Sequence, residues 1–406
     1  MLTLTVENHR AFRAPATLSL PGLTLLYGQN QAGKSSLARL LPLLSDSHER
    51  DQGPLALGSA STRGATFSEL CWRGAELPAH SFAVRVSDRK RWAEWTWARE
   101  ERLVVRRFRC ELGAHRADIS YAGVIEGVPQ HAGELAGVAW QGPVDFYTLS
   151  PSGVYPALRS IARATDLLLR PISRVQWLSA RREPQSPAPP RARAIGRCSP
   201  NGEDVAHLLI DRPQLLDAVA RWFEVHLGER LELFMNERRE LELAFRRPGV
   251  ERLPLRLAGE GVAELLPIVV VAFWAQTGEA TAPTTLVVEE PESNLHPNLT
   301  VPLFQLLLHT AKLGVLVVVE THAVHLLRAA QLAVLRHECP PSLIELDWVV
   351  REPGAAGSSV RRATVRSDGS LSGWPPDAFG EEYGMAREIL DLQITHGADV
   401  DVPSPR

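Results

Sequence analysis

Residues 28–35, GQNQAGKS, constrain this chain more tightly than any other stretch, because they satisfy the spacing G-x-x-x-x-G-K-[ST] in full. An apolar run, Leu23–Tyr27, precedes them and reads as a short buried strand. Behind them SLARLLPLL, Ser36–Leu44, opens as a helix that Pro42 is expected to interrupt. A phosphate group needs this context. Loop amides converge on its oxygens, a helix start adds partial positive charge, a lysine reaches the outer phosphates and a hydroxyl holds Mg²⁺. Gly28, Gln29, Asn30, Gln31, Ala32, Gly33, Lys34, Ser35 and Ser36 are therefore expected to bind ATP. Lys34 would also serve catalysis, and Ser35 would be a metal ligand.

A phosphate loop of this kind needs carboxylates beside it, and Leu286–Pro297, LVVEEPESNLHP, offers them at the end of an apolar strand. Glu289 is expected to hold Mg²⁺ or its waters, and Glu290 to polarise the water that attacks the γ-phosphate. A second apolar strand leads into VVVETHAVH at 317–325, so that His322 projects from the strand end and can sense the γ-phosphate, while His325 is read as structural. Just upstream of the carboxylate strand, LAGEGVAEL at 257–265 places small residues at the start of an apolar helix. The amides of Gly259, Glu260 and Gly261 can face an anion there.

With 406 residues and 45% hydrophobic composition, the chain has room for one large or two ordinary domains with a sizeable core. Its best apolar run, Leu265–Trp274, is half of what a bilayer span needs (~20 residues). The start, MLTLTVENHR, lacks a signal-peptide layout, and Cys71, Cys110, Cys198 and Cys339 are widely spaced. Reduced thiols and a cytoplasmic location are expected. The net charge of −3 removes any overall attraction to nucleic acid, so such a contact would have to be a local patch. The run Arg89–Arg99, RKRWAEWTWAR, with Arg106, Arg107 and Arg109, is the candidate patch; packing its Trp face inward and solvating its Arg face is the competing reading.

In chain order, residues 2–27 read as two strands around a turn, and several period-2 segments follow within 66–121: 67–72, 81–86, 92–97, 103–112 and 118–121. Val144–Leu149 is read as a further strand, Tyr155–Leu169 as a helix and Val175–Ser179 as a buried strand. Glu183–Gly202, rich in Pro and Arg, is read as a mobile surface loop. A helix divided by Pro213 and a β-ribbon over 229–247 come next. The strand–helix–strand order of 285–319 implies a parallel sheet. Arg181 and Arg182 are candidates to approach phosphate or carry the switch loop, and Gln176 to sense the metal.

Taken together, the phosphate loop, the Gly-rich element, EEPESNLHP and ETH resemble the ATPase heads of the ABC type, a set that includes RecF, structural-maintenance-of-chromosomes heads and overcoming-lysogeny-defect nucleases. VENHRAF, RGATFSEL, VQWLSARREP, IGRCSPNGEDVAHLL and SDGSLSGWPPDAFGEEY look like a bacterial group of AAA family ATPases with a small C-terminal domain. This resemblance implies an α/β P-loop NTPase of ABC-head type, with an antiparallel β-subdomain and a small C-terminal α+β cap. The implied division is a head over 1–340 with an inserted β-rich and helical region at 65–255, a C-terminal domain over 341–393 and a disordered tail at 394–406. Two heads would sandwich two ATPs, each site taking Glu289, Glu290 and His322 from one subunit and 258–261 from the other. A separate effector, such as a nuclease or toxin, would act with the homodimer in anti-phage defence. Glu289 departs from the usual Asp, and the Gly-rich element lacks the usual Ser, which favours slow turnover or a nucleotide-gated scaffold as the alternative, beside a RecF-like DNA-binding role. No coiled-coil heptads separate the two halves, and no membrane contact is expected.

Overall fold

The computed structural model describes residues 1–49, 53–74, 78–183, 186–190, 195–247, 249, 251–375, 378–379, 385, 388–389 and 391–392. The chain opens with β1 (Leu2–Glu7), β2 (Ala16–Leu20) and β3 (Leu23–Gly28), then α1 (Lys34–Ala38), α2 (Leu40–Glu49) and α3 (Phe67–Leu70). Strands β4 (Ser81–Ser87), β5 (Arg91–Arg99), β6 (Leu103–Leu112), β7 (His115–Ile125), β8 (Val128–Leu135) and β9 (Val138–Pro143) follow. Helix α4 (Pro156–Leu169) and strand β10 (Val175–Leu178) lead to α5 (Val205–Ile210) and α6 (Pro213–Leu227). A ribbon of β11 (Arg230–Met235), β12 (Leu241–Arg246) and β13 (Leu253–Pro254) precedes α7 (Glu260–Gln276). Then β14 (Thr285–Glu289), α8 (Pro297–Lys312), β15 (Leu316–Glu320) and α9 (Val324–Leu335) alternate, and β16 (Ile344–Val350), β17 (Ser359–Val365) and β18 (Leu371–Ser372) complete the order.

Among the described residues, the central sheet has the order β10-β14-β15-β3-β16-β17-β18, parallel from β10 to β16. Strands β3 and β14 are buried at every position, as a parallel sheet covered on both faces requires. Alternation along the strands splits the core in two. Leu25, Val288 and Val319 face the core built with α5–α9, whereas Leu26, Val287 and Val318 face α1, α2 and the second sheet. That second sheet is antiparallel, in the order β2-β1-β4-β5-β6-β7-β8-β9. Its inner face carries Trp95 and Trp97, each donating its indole N–H to a loop carbonyl, Leu149 and Pro54 respectively. A buried indole without such a partner would be costly.

The expected α/β core with an antiparallel subdomain is therefore observed, with corrected boundaries. β1 and β2 belong to the antiparallel sheet and β10 to the central one, so 65–255 is not a single insertion. Residues 344–372 extend the central sheet beside β3, so no domain boundary falls at 340/341. Most of the expected C-terminal domain beyond 375, and the tail at 394–406, lie outside the described residues. Phe67–Leu70 is a helical turn with a Thr66–Glu69 capping box, because Phe67 and Leu70 share one face at a spacing of three. Pro42 does not break the helix. The break comes at Arg39, and Pro42 sits in the first turn of α2, where its missing N–H leaves no bond unmade. Residues 144–149 form no strand, and β8 and β9, too polar and Gly-rich to signal themselves, escaped the sequence reading. Of the 183–202 segment, the described part is held down: Arg197 pairs with Asp46 and Glu49, and Cys198 bonds to Gln176.

Asp347 on β16 is fully buried, and burial and nearby Glu345 push its pKa from 3.8 up to about 7. The unfolded chain releases that proton at lower pH than the folded one, so this group withdraws stability as pH rises from about 4 to about 7. Asp347→Asn is expected to raise the melting temperature at pH 8 by roughly 2 °C or more, with the gain vanishing near pH 4. Thermal melts of both proteins at the two pH values check it.

Candidate nucleotide site

The end of β3 turns into the phosphate loop at Gly28, where φ is +146° and an added Cβ would lie 2.1 Å from the Val349 carbonyl on β16. Gly33, at φ +109°, is pressed against Ala11 in the same way, with 2.7 Å left for a Cβ. Only glycine meets both demands. The loop borders a cavity of about 470 Å³ whose wall includes Asn30, Gln31, Gly33, Lys34, Ser35, Ser36, Glu290, Glu320 and His322. Lys34 Nζ donates to the carbonyls of Gly28 and Gln29, at 3.0 Å each, and burial lowers its pKa. These backbone acceptors are ones that a phosphate oxygen would replace.

Glu290 follows β14 with φ +43°, an uncommon conformation for a residue with a side chain. Its N–H donates to Glu320 O at 2.7 Å, and Ser293 Oγ donates to its Oε2 at 3.1 Å. The turn is held by Arg182, whose guanidinium donates to the carbonyls of Ser179, Glu264, Glu289 and Glu290. Of the two arginines flagged in the sequence, Arg182 thus carries the acidic loop from beneath, whereas Arg181 is exposed. His322 is positioned by Glu292 Oε1, which accepts from Thr321 Oγ1, His322 N and Ala323 N at 2.6, 2.9 and 3.2 Å. Burial and the Lys34 charge lower the His322 pKa, favouring a neutral ring.

Glu289 departs from expectation. It is buried, and Arg39 grips it with two bonds of 2.6 Å, while Trp177 Nε1 donates to Oε1 at 3.0 Å. Its carboxylate is committed to that pair and is not on the cavity wall. Ser35 Oγ donates instead to Glu320 Oε1 at 2.7 Å. Burial and the Glu289 charge push the Glu320 pKa up to about 7, and its Oε2 is buried without a hydrogen bond. Gln176 faces away from the site, bonded through its amide to the Cys198 backbone. Ala258, Gly259, Glu260 and Gly261 are not on the cavity wall either. They form the start of α7, where Gly259 and Glu260 are exposed and Gly261 packs so closely on the Asn294 carbonyl that a Cβ would fall 2.0 Å from it. The basic ribbon buries Trp95 and Trp97 and spends Arg85 and Arg109 on Glu94, Arg91 on Asp88 and Arg107 on Asp118. That is the packed, ion-paired reading of the ribbon.

The donor set fits a nucleoside triphosphate with a divalent cation: loop amides and one ammonium for phosphate, and a hydroxyl and a carboxylate for the cation. Among the described residues no group of three or more His, Cys, Asp or Glu could by itself hold a metal. A single hydroxyl and carboxylate beside phosphate oxygens is the donor set that Mg²⁺ takes, since it keeps waters and binds through one or two carboxylates. Glu320, Glu292 and Arg39 were missed in the sequence. For Glu320 a signal existed, because it closes one buried strand just as Glu289 closes its parallel neighbour.

Phosphate loop, acidic strand end and the histidine after β15 stand on a sheet with the α/β P-loop fold of solved Smc head domains. Residues 180–328 match the family model described as "AAA domain, putative AbiEii toxin, Type IV TA system". Among solved structures, an Smc head bound to the C-terminal winged-helix domain of ScpA is similar, at 12% identity and TM-score 0.50 over 90% of this chain and 97% of the other. An Smc head with an extended coiled coil from Pyrococcus furiosus, bound to the C-terminal domain of ScpA, is similar at 11% identity and TM-score 0.50, covering 96% and 100%. No curated protein matches the chain in sequence. Among the described residues no helix is long and apolar enough to cross a membrane, and the four cysteines are buried.

Removing Arg39 leaves a buried, uncompensated carboxylate. Arg39→Ala is expected to lower unfolding free energy by about 3–5 kcal/mol. Urea denaturation of the variant beside the wild type measures it.

Proposed function

We propose that this chain is a Mg²⁺-dependent ATP hydrolase whose ATP-bridged homodimer acts as a timed switch on a partner effector. The observation that carries this reading is a division of parts. Lys34, Ser35, Glu290 and His322 share one cavity, while Gly259 and Glu260 open α7 on an exposed surface outside it. One chain therefore holds most of a site and a piece that suits another copy's site. A closed point-group dimer would complete two such sites at once.

In this scheme the loop amides and Lys34 hold the β- and γ-phosphates, and neutral His322 hydrogen-bonds the γ-phosphate. The bound cation offsets charge on the phosphate oxygens. Glu290, aimed by its left-handed turn and Ser293, orients the attacking water and takes its proton. Amides at Gly259–Gly261 of a second copy would contact the same γ-phosphate, so that its loss releases the partner. ATP shifts the population toward the closed dimer by its differential affinity, and hydrolysis withdraws that bias. An effector role is supported by two similarities: the similar Smc heads are bound to ScpA domains, and the matched family is described as a putative AbiEii toxin. A cytoplasmic setting and anti-phage defence belong to the same proposal.

Light scattering with ATP and Mg²⁺ tests the switch, with phosphate release measured in parallel. Glu290→Gln is expected to cut turnover by about 100-fold or more and to accumulate dimer. Lys34→Ala is expected to stay monomeric with ATP. A protein that remains monomeric in every case, or turnover unaffected by Glu290→Gln, contradicts the proposal.

A further inference from the structure

We infer that Glu320, not Glu289, supplies the protein carboxylate to the divalent cation that accompanies the nucleotide, a deepening that rests on the ATP-site reading above. The two residues close neighbouring parallel strands as register partners, so both side chains leave the same face of the sheet. They differ in distance from the phosphate loop. β15 pairs directly with β3, Glu320 opposite Leu26, whereas β14 lies one strand further out. Adjacent strands stand about 4.8 Å apart, close to one carboxylate's reach.

Their partners differ in the same sense. Both oxygens of Glu289 are taken, by the planar guanidinium of Arg39 at 2.6 Å on each side and by the Trp177 N–H at 3.0 Å. A cation at Glu289 would have to break a buried bidentate pair and sit beside the arginine's charge. Among the described residues, Glu320 meets no arginine at bonding distance. It accepts one bond, from the Ser35 hydroxyl at 2.7 Å, on the cavity wall, and its Oε2 is buried with no donor. That bond is compatible with metal binding, because a hydroxyl lends a lone pair to a cation while its proton continues to point at a carboxylate. Ser35 and Glu320 thus form a ready pair of oxygens beside the phosphate loop, and Glu289 becomes the anchor that fixes Arg39 at the α1–α2 junction. Glu289 then replaces the usual Asp without cost to the metal, since the longer side chain serves the arginine.

The test measures metal binding rather than turnover. Mn²⁺ substitutes for Mg²⁺, and its affinity is read by electron paramagnetic resonance with a non-hydrolysable ATP analogue present; analogue binding in EDTA is measured separately. Glu320→Gln is expected to weaken Mn²⁺ by about 10-fold or more, with metal-free analogue binding retained. Glu289→Gln is expected to change Mn²⁺ affinity by less than about 3-fold. If Glu289→Gln fails to fold, Glu289→Leu with Arg39→Met removes both charges of the pair and takes its place. Loss of Mn²⁺ in the Glu289 variant with retention in Glu320→Gln overturns the assignment and leaves the ATP reading intact. Absence of analogue binding by the wild type, with or without metal, overturns both.

Discussion

The buried bond between Arg39 and Glu289 is the contact on which the geometry of this site depends. It joins the helix after the phosphate loop to the strand that delivers Glu290, elements 250 residues apart in sequence. Such a pair adds little net stability over a well-packed apolar contact, but it tolerates only one geometry. The guanidinium also lies over the Trp177 ring, 5.6 Å from its centroid, which ties β10 into the same arrangement. Two strands and a helix junction are thereby held in register around one charge pair, and Glu320, bonded to Ser35, closes the strand next to β3.

From there the site is built by strand ends. β3 ends in the phosphate loop, β14 in Glu290 and β15 in Glu320 and His322, all at the carboxyl edge of a parallel sheet, where open α/β folds bind ligands. A second tier of polar side chains fixes their directions. Arg182 collects the carbonyls of the acidic turn, and Glu292 collects the amides of the switch segment. Arg182 also bonds to Glu264 O on α7, so the acidic turn and the helix that begins at Gly259 share one fixed point. Rearrangement at Glu290 is thus mechanically adjacent to the surface that the proposed dimer would use.

Much of this was legible in the sequence because phosphate chemistry leaves few options. The glycine spacing, the apolar runs before it and before EEPES, and the position of His322 follow from steric and electrostatic need, and the structure brings Lys34, Ser35, Glu290 and His322 to one cavity. What the sequence hid was partner choice. Glu289 and Glu320 end equally apolar strands, and only the third dimension reveals that Arg39 reaches one of them. The central sheet was underestimated because β16 and β17 follow a segment that reads as a domain end, yet Leu346 and Val349 pack beside β3. The aromatic ribbon was undecided for a related reason. Whether Arg85 and Arg109 are free depends on Glu94 lying between them across two strand pairings.

The central claim is that each site is completed by another copy, and mixing two defective subunits addresses it directly. Lys34→Ala removes one half of the site, and Gly259→Val, at a position where a Cβ meets nothing in its own chain, blocks the other. Each variant alone should be inactive, whereas an equal mixture should recover phosphate release, since only a mixed dimer carries an intact site. No recovery on mixing, or full activity of Gly259→Val alone, would contradict the account.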